Sequence, residues 1–393
     1  MKIKLITALT VALFASSMVS HACSMYKLTQ GGKTIVGNNE DWLSPNSQFW
    51  FEVGEENKYG VMYMGLLNSF AQGAINEAGL VFDGFANPYL AIENTEGKLA
   101  VPIGDAIKNI MQTMAMVEEV KAYLETIDLS SLTSSQVVFV DKSGTYLIVE
   151  GDELIISEEV EKLFSNFYYS QVVSEEEVEI ANFQKGLQFV KTTESEPSLD
   201  YGSRVMEELS NVGLSSTQYS TIYDLNALVI RVYLFHDYTQ FIELDLKKEL
   251  AQGERSVMIA DLFPEASIGR QYYHKYNDEV HPTRILEEAV GEQELSEAEF
   301  IEMDFNYVIN IIGYEWLQEI KNPMAAIKIF QYGTELMPNN ADLYDSLGEA
   351  YFEDKDWDNS IMNYARSLSL DPQNENAIEM IIKAHENRGE GGD

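Results

Sequence analysis

A single cysteine, Cys23, stands in a chain of 393 residues. One thiol excludes an intrachain disulfide framework, a paired-cysteine redox motif and any metal site built on several thiolates. The fold must therefore be held by its hydrophobic core, and the length gives a prior of two or three domains. Apolar residues at 45% and charged residues at 23% are ordinary for a globular protein and disfavour wholesale disorder.

The place of the cysteine matters as much as its number. Met1 to Ala22 reads as a secretory signal peptide. Lys2 and Lys4 form a positive start, and Leu5 to Ala15 is an apolar stretch too short to span a bilayer. Ser20-His21-Ala22 then supplies the small residues that signal peptidase needs. The chain is expected to be exported, periplasmic or secreted, with Cys23 as its first mature residue. Three readings of that residue stay open. Acylation would make it a lipoprotein anchor, although that pathway favours an aliphatic residue where Ser20 stands. A free amine and a thiol on one residue would make an N-terminal nucleophile. A third reading is a small residue left behind by the cut. The first two exclude each other, because lipid processing acylates the amine that catalysis needs.

The formal net charge is −38, from 64 acidic and 26 basic side chains. Such an excess argues against binding nucleic acid or an anionic membrane surface and reads as a solvated, self-repelling exterior. His236, His274, His281 and His385 show no metal-ligand or catalytic spacing.

After Cys23 the residues alternate in polarity. Ser24 to Leu28, the turn Gly31-Gly32 and Thr34 to Gly37 predict a hairpin that returns Asp41 to the level of Cys23. Further strands are predicted at Phe49–Val53, Val61–Leu66, Ala74–Phe85 (broken by Asn76-Glu77-Ala78-Gly79), Gln136–Val140, Thr145–Glu150, Ser220–Asp224, Val229–Phe235 and Thr239–Leu246. Pro102 to Glu125 carries apolar residues at helical spacing and predicts one helix. Antiparallel strands with a few helices give a mixed α+β class.

In order along the chain, the segments Gly37-Asn38-Asn39-Glu40-Asp41, Ile75-Asn76-Glu77-Ala78-Gly79-Leu80, Gly84 with Pro88, Val137 to Gly144, Phe164-Ser165-Asn166, Gly202-Ser203-Arg204 and Tyr238-Thr239-Gln240 follow Cys23. This succession resembles the linear-amide hydrolases that include bile-salt hydrolases and penicillin V acylases. The resemblance covers Cys23 to about Leu250. It implies the four-layer αββα sandwich of N-terminal-nucleophile hydrolases, no cofactor and no metal. It also implies cleavage of a linear non-peptide amide through a thioester. N-acyl amides, acyl-homoserine lactones, penicillin V and conjugated bile acids are the substrates it suggests. An acyltransferase of the same fold is the near alternative, and a lipoprotein or scaffold acting through the C-terminal repeats is the distant one.

By that resemblance Cys23 is the nucleophile and its α-amine, with an ordinary pKa near 7.7–8.0, the base. Asp41 would hold Cys23, Asn166 would donate to the oxyanion, and Arg204 would fix the site or the polar end of the substrate. Asn39 and Asn87 are further candidates for substrate or oxyanion contact. Three departures stand out. Asn38 replaces the arginine of the bile-salt enzymes. Gly84-Phe85-Ala86-Asn87-Pro88 displaces an asparagine by one position, which on a strand would reverse its face. The spacing from Cys23 to Asp41 is one residue shorter.

Residues 251–305 are expected to connect to something different. Ala326-Ile327, Phe330, Leu336 and Pro338 recur 34 residues later as Ser360-Ile361, Tyr364, Leu370 and Pro372. With Leu347-Gly348 and Tyr351 this resembles tetratricopeptide repeats over 306–387, a small all-α region. It would either cover apolar surface or dock a protein partner or a second subunit. Ala377 to His385 is expected to cap it, with a frayed tail from Arg388.

Overall fold

The computed structural model describes residues 23–291 and 295–390. The expected leader, residues 1–22, and the last three residues lie outside the described residues. Two compact units divide the chain between Tyr273 and His274.

The first unit opens with β1 (Ser24–Gln30) and β2 (Lys33–Trp42). Gly31 and Gly32 join them with φ of 62° and 78°, the left-handed pair that a tight hairpin turn requires. Then come β3 (Ser47–Glu52), β4 (Val61–Leu66), β5 (Ala71–Asn76) and β6 (Val81–Ala86). Helices α1 (Ile103–Thr113) and α2 (Val117–Leu124) follow. Next are β7 (Ser135–Val140), β8 (Tyr146–Glu150), β9 (Glu153–Ser157) and β10 (Glu161–Ser165). Helices α3 (Ala181–Thr192) and α4 (Leu199–Glu208) precede β11 (Ser216–Asp224), β12 (Val229–Leu234) and β13 (Ile242–Asp245). A short α5 (Leu246–Leu250) leads to β14 (Arg255–Met258) and α6 (Ile268–Tyr276).

These strands form two antiparallel sheets. One has the order β10-β1-β2-β11-β12-β13, the other β14-β3-β4-β5-β6-β7-β8-β9. Three apolar layers define the stacking. Met25, Val36, Tyr219, Ile230 and Val232 of the first sheet meet Phe49, Met62, Ile75, Val81 and Val138 of the second. On the outer face of the second sheet, Tyr63, Ala74, Phe82 and Phe139 meet Ile110 and Met111 of α1 and Val120 of α2. On the outer face of the first, Tyr26, Leu28, Ile35 and Ile222 meet Phe183 of α3 and Val205 and Met206 of α4. The result is the four-layer αββα sandwich. Because both faces of each sheet are covered, β1, β2 and β11 are buried at nearly every position. Each fully buried phenylalanine, such as Phe49 or Phe164, contributes about 1.5–3 kcal/mol. Gly37 lets α4 lie close on β2, since a Cβ there would stand 2.6 Å from Met206 Cγ.

The single helix expected over Pro102–Glu125 is two helices. The Asn76 amide donates to the carbonyls of Met111 and Met114 at 2.9 and 2.8 Å, closing the first. The Glu119 carboxylate accepts from Ala115 and Met116 N–H at 2.9 and 3.1 Å, opening the second. The strand expected over Thr239–Leu246 is shorter, because Asp245 accepts from Lys248 N–H at 3.1 Å and starts α5. Past residue 250 the second sheet gains β14, which pairs with β3.

The second unit is helical. It contains α7 (Arg284–Val290), α8 (Glu297–Glu302), α9 (Phe305–Tyr314), α10 (Pro323–Leu336), α11 (Ala341–Glu353), α12 (Trp357–Leu370) and α13 (Glu375–Glu390). Asn322, Asn340 and Asp356 cap three of them by accepting from the backbone three residues on. Gly313 lies under the Phe330 ring, and Gly348 under the Tyr364 ring. This small-against-large pair recurs with the sequence repeat. The expected frayed tail from Arg388 is helical to Glu390.

Candidate active site

Cys23 begins the first sheet. Ser24 pairs with Asn39 on one side and Ser165 on the other, so the start of β1 is fixed between β2 and β10. The Ser165 hydroxyl donates to the Cys23 carbonyl at 3.0 Å. The hairpin brings Asp41 to the thiol: its backbone N–H donates to Cys23 Sγ at 3.4 Å, and its carbonyl oxygen lies 3.7 Å from the same sulfur. The thiol also donates to Glu40 Oε2 at 3.6 Å.

Asp41 is 1% exposed. Its Oδ1 accepts from Thr217 Oγ1 of β11 at 2.6 Å. Its Oδ2 is buried without a hydrogen-bond partner among the described residues. Burial pushes this carboxyl up from its ordinary range, and the Thr217 bond opposes the shift only in part.

Two further carboxyls, which sequence reasoning did not single out, face the sulfur. Alternation along β2 turns Val36, Asn38 and Glu40 toward the second sheet, and alternation along β6 turns Val81, Asp83 and Phe85 back toward them. Glu40 and Asp83 stand close enough to shift each other's ionisation, and a proton shared between the two carboxyls would relieve their repulsion. The Asn38 amide bridges them, donating to Asp83 Oδ2 and, at 3.4 Å, to Glu40 Oε1. The Gln72 amide donates to Glu40 Oε2 at 2.9 Å. Burial, with the neighbouring Asp41 charge, pushes Glu40 up to about 7 against its hydrogen bonds. Burial and then Glu40 push Asp83 up as well. Burial first, then the charges of Glu40, Asp41 and Asp83, push the Cys23 thiol above its ordinary range. The Tyr219 hydroxyl, buried against this cluster, has no partner among the described residues. A sequence signal did exist: a carboxylate at a core-facing strand position, twice.

The other expected residues divide. Asn166 follows the last residue of β10, and its amide donates to the Ala86 carbonyl at 2.6 Å, joining the ends of the two sheets near Cys23. Asn87 comes directly after β6, so strand alternation no longer fixes its face. It is buried, and neither amide atom has a partner among the described residues. Asn39 faces the helical layer instead. Its amide donates to the Met206 carbonyl at 2.8 Å and accepts from Tyr238 Oη at 2.9 Å. Arg204 is exposed on α4, with its guanidinium 5.0 Å from the Phe189 ring. The sheet-facing side of that helix is taken by Tyr201, Val205 and Met206, which turns Arg204 outward, to the far side of the first sheet from Glu40 and Asp83. The structure thus brings Cys23, Asp41, Glu40 and Asp83 together, sets Asn166 and Asn87 at the same end, and keeps Asn39 and Arg204 apart.

No protein-family model matches the chain, and no curated protein matches it. Among solved structures it is similar to a single-site variant of conjugated bile acid hydrolase from Clostridium perfringens, at 18% identity over 60% of this chain and 96% of that one, with a TM-score of 0.46. A second mutant of that hydrolase gives 17% identity, 60% and 95% coverage and a TM-score of 0.46. Penicillin V acylase from Agrobacterium tumefaciens gives 15% identity, 60% and 90% coverage and a TM-score of 0.45.

Proposed function

We propose that the protein is an exported amidohydrolase whose nucleophile is Cys23, exposed as the N-terminal residue when the leader is removed. One observation carries this reading. The buried Asp41 Oδ2 has no partner, and it belongs to the residue whose backbone brackets Cys23 Sγ. Cleavage before Cys23 creates an amine there, and an ammonium is the partner such an oxygen lacks.

The chemistry follows from these groups. The neutral α-amine takes the thiol proton as sulfur attacks the amide carbonyl carbon. The S–H bond breaks, a C–S bond forms, and the carbonyl oxygen becomes an oxyanion. Asn166, whose second amide hydrogen is free of Ala86, and Asn87 supply donors for it. The amine returns the proton to the leaving nitrogen, the C–N bond breaks, and a thioester is left on Cys23. Water then attacks the thioester, releasing the acid and restoring the thiol. The second unit, with its 34-residue repeat, serves as a tetratricopeptide-like surface for a protein partner or a second copy.

Intact mass and N-terminal sequencing of the exported protein test the reading. A free Cys23 at the terminus supports it, and a diacylglyceryl-modified Cys23 overturns it. A panel of phenylacetyl and fatty-acyl amides, with the acyl-enzyme trapped by acid quench, should place the acyl mass on Cys23. Undiminished turnover in Cys23→Ser would overturn the nucleophile assignment.

A further inference from the structure

The acidic pair beside the sulfur has no role in the reaction as set out above. Glu40 and Asp83 are each 1% exposed. They are contributed by different sheets and tied together by Asn38. Glu40 Oε2 is a hydrogen-bond acceptor for the reacting thiol itself. Asp41, next to Glu40 on β2, adds a third carboxyl whose charge acts on Cys23. The titratable groups facing Glu40 from the surrounding strands are Cys23, Asp83, Tyr219 and Tyr223, and Asp41 stands next to it on its own strand. None of these side chains is a cation, Arg204 is turned away on the helical layer, and the cation that the proposed function places here is the α-ammonium of mature Cys23. With Asp41 Oδ2 left to the α-amine, the buried Tyr219 Oη, which has no partner among the described residues, marks where a ligand would complete the cluster.

Three carboxyls surround that one ammonium, and the negative charge left over acts on whatever reaches the sulfur. In a low-dielectric setting its field is poorly screened. An anionic group next to the scissile bond would be repelled, and a cationic one would be drawn in and would supply the missing counter-charge. The amine halves of penicillin V and of conjugated bile acids carry acidic groups, so this cluster is mismatched to them.

We propose that the Glu40–Asp83 pair sets the substrate class: the amide cleaved here has a positively charged amine half, as in a singly acylated diamine. The inference rests on the amidohydrolase reading for the cleavage but not for the charge preference. The two are therefore tested by separate measurements on the mature full-length protein.

The first measurement labels Cys23, the sole thiol, with aminoethyl- and sulfonatoethyl-methanethiosulfonate. In both, the thiolate displaces a sulfinate and forms a mixed disulfide. Relative to free cysteine, the cationic reagent should react at least about tenfold faster than the anionic one, as expected for unit charges a few ångströms apart at an effective dielectric near 20. Glu40→Gln and Asp83→Asn should each compress that ratio. Should a variant fail to fold, the wild-type ratio compared at pH 5 and pH 8 gives the same readout, because protonating the pair should weaken the preference. Equal rates for the two reagents, or a ratio that neither variant nor pH changes, overturns the proposal. The second measurement compares N-phenylacetyl-1,4-diaminobutane with N-phenylacetylglycine. A higher kcat/KM for the diamine derivative supports the proposal, and an equal or higher value for the glycine derivative overturns it. Charge-selective labelling with no turnover of any acyl amide overturns the hydrolase reading instead.

Discussion

Thr217 Oγ1 donates to Asp41 Oδ1 at 2.6 Å, and the two residues stand opposite each other in the β2–β11 register. The bond joins β2 to β11 and fixes one carboxylate oxygen; in the proposed reaction the other is left for the α-amine. Thr217→Val keeps the shape and removes the donor. It takes the hydroxyl away from Asp41 Oδ1 and from the Asn211 N–H, which donates to the same oxygen at 2.8 Å, and should cost about 1–3 kcal/mol of stability. Turnover should fall by about tenfold or more with KM little changed, because the defect lies in orienting the nucleophile. A kcat at the wild-type level in a folded Thr217→Val enzyme would remove Asp41 from the mechanism.

The thiol itself gives a second expectation. Burial and three carboxyls push Cys23 above its ordinary range, so the thiolate is scarce at neutral pH. Iodoacetamide should label the uncleaved chain slowly at pH 7 and faster only above pH 9. In the mature protein a positive α-ammonium beside the sulfur should shift that profile to lower pH. Identical profiles for the two forms would mean that the new amine does not face the thiol.

Glu40 links the same cluster to stability. Its carboxyl is pushed from 4.5 up to about 7 in the folded protein, so the folded state binds more protons than the unfolded state between those values. Stability contributed by the protonated form is then present below about pH 4.5 and lost as pH rises through about 7. Glu40→Gln removes this dependence. Unfolding free energies from denaturant titrations at pH 4.5 to 7.5 should fall for the wild type, by on the order of 3 kcal/mol in total, and should be flatter for Glu40→Gln. Parallel curves for the two proteins would show that Glu40 does not titrate in this range.

Where the governing signal is local, the sequence is readable. Gly31-Gly32 specifies its turn through backbone freedom, and the alternation after Cys23 specifies the strand, so the approach of Asp41 to the sulfur follows from counting along a hairpin. The Glu40–Asp83 pair is different. Each residue is legible as a carboxylate on an inward strand position, but their meeting depends on how β2 and β6 align across two sheets, and residues 40 and 83 share no local pattern. Arg204 shows the same limit on a helix. Its place in the Gly202-Ser203-Arg204 segment is readable, but the face of α4 that meets β2 is set by the close fit of Met206 over Gly37.

Asn76, the last residue of β5, shows how a strand end can organise a helix that the sequence reads as continuous. It is fully buried. Its Oδ1 accepts from the N–H groups of Ala78 and Leu80 at 3.1 and 3.0 Å, shaping the turn between β5 and β6. Its amide donates to the carbonyls of Met111 and Met114, ending α1. Asn76→Ala leaves all four groups without this partner, two of them fully buried and two partly so, so it should destabilise the first unit by about 3 kcal/mol or more. Asn76→Asp keeps the acceptor but sets a carboxyl against two carbonyl oxygens, where only the protonated form can donate. Its folded pKa is therefore raised, and its stability should fall as pH rises from 5 to 8. The Ala variant has no such titratable group. Melting curves at the two pH values separate the cases. A pH response no steeper in Asn76→Asp than in Asn76→Ala would mean that the two helix carbonyls do not depend on this side chain.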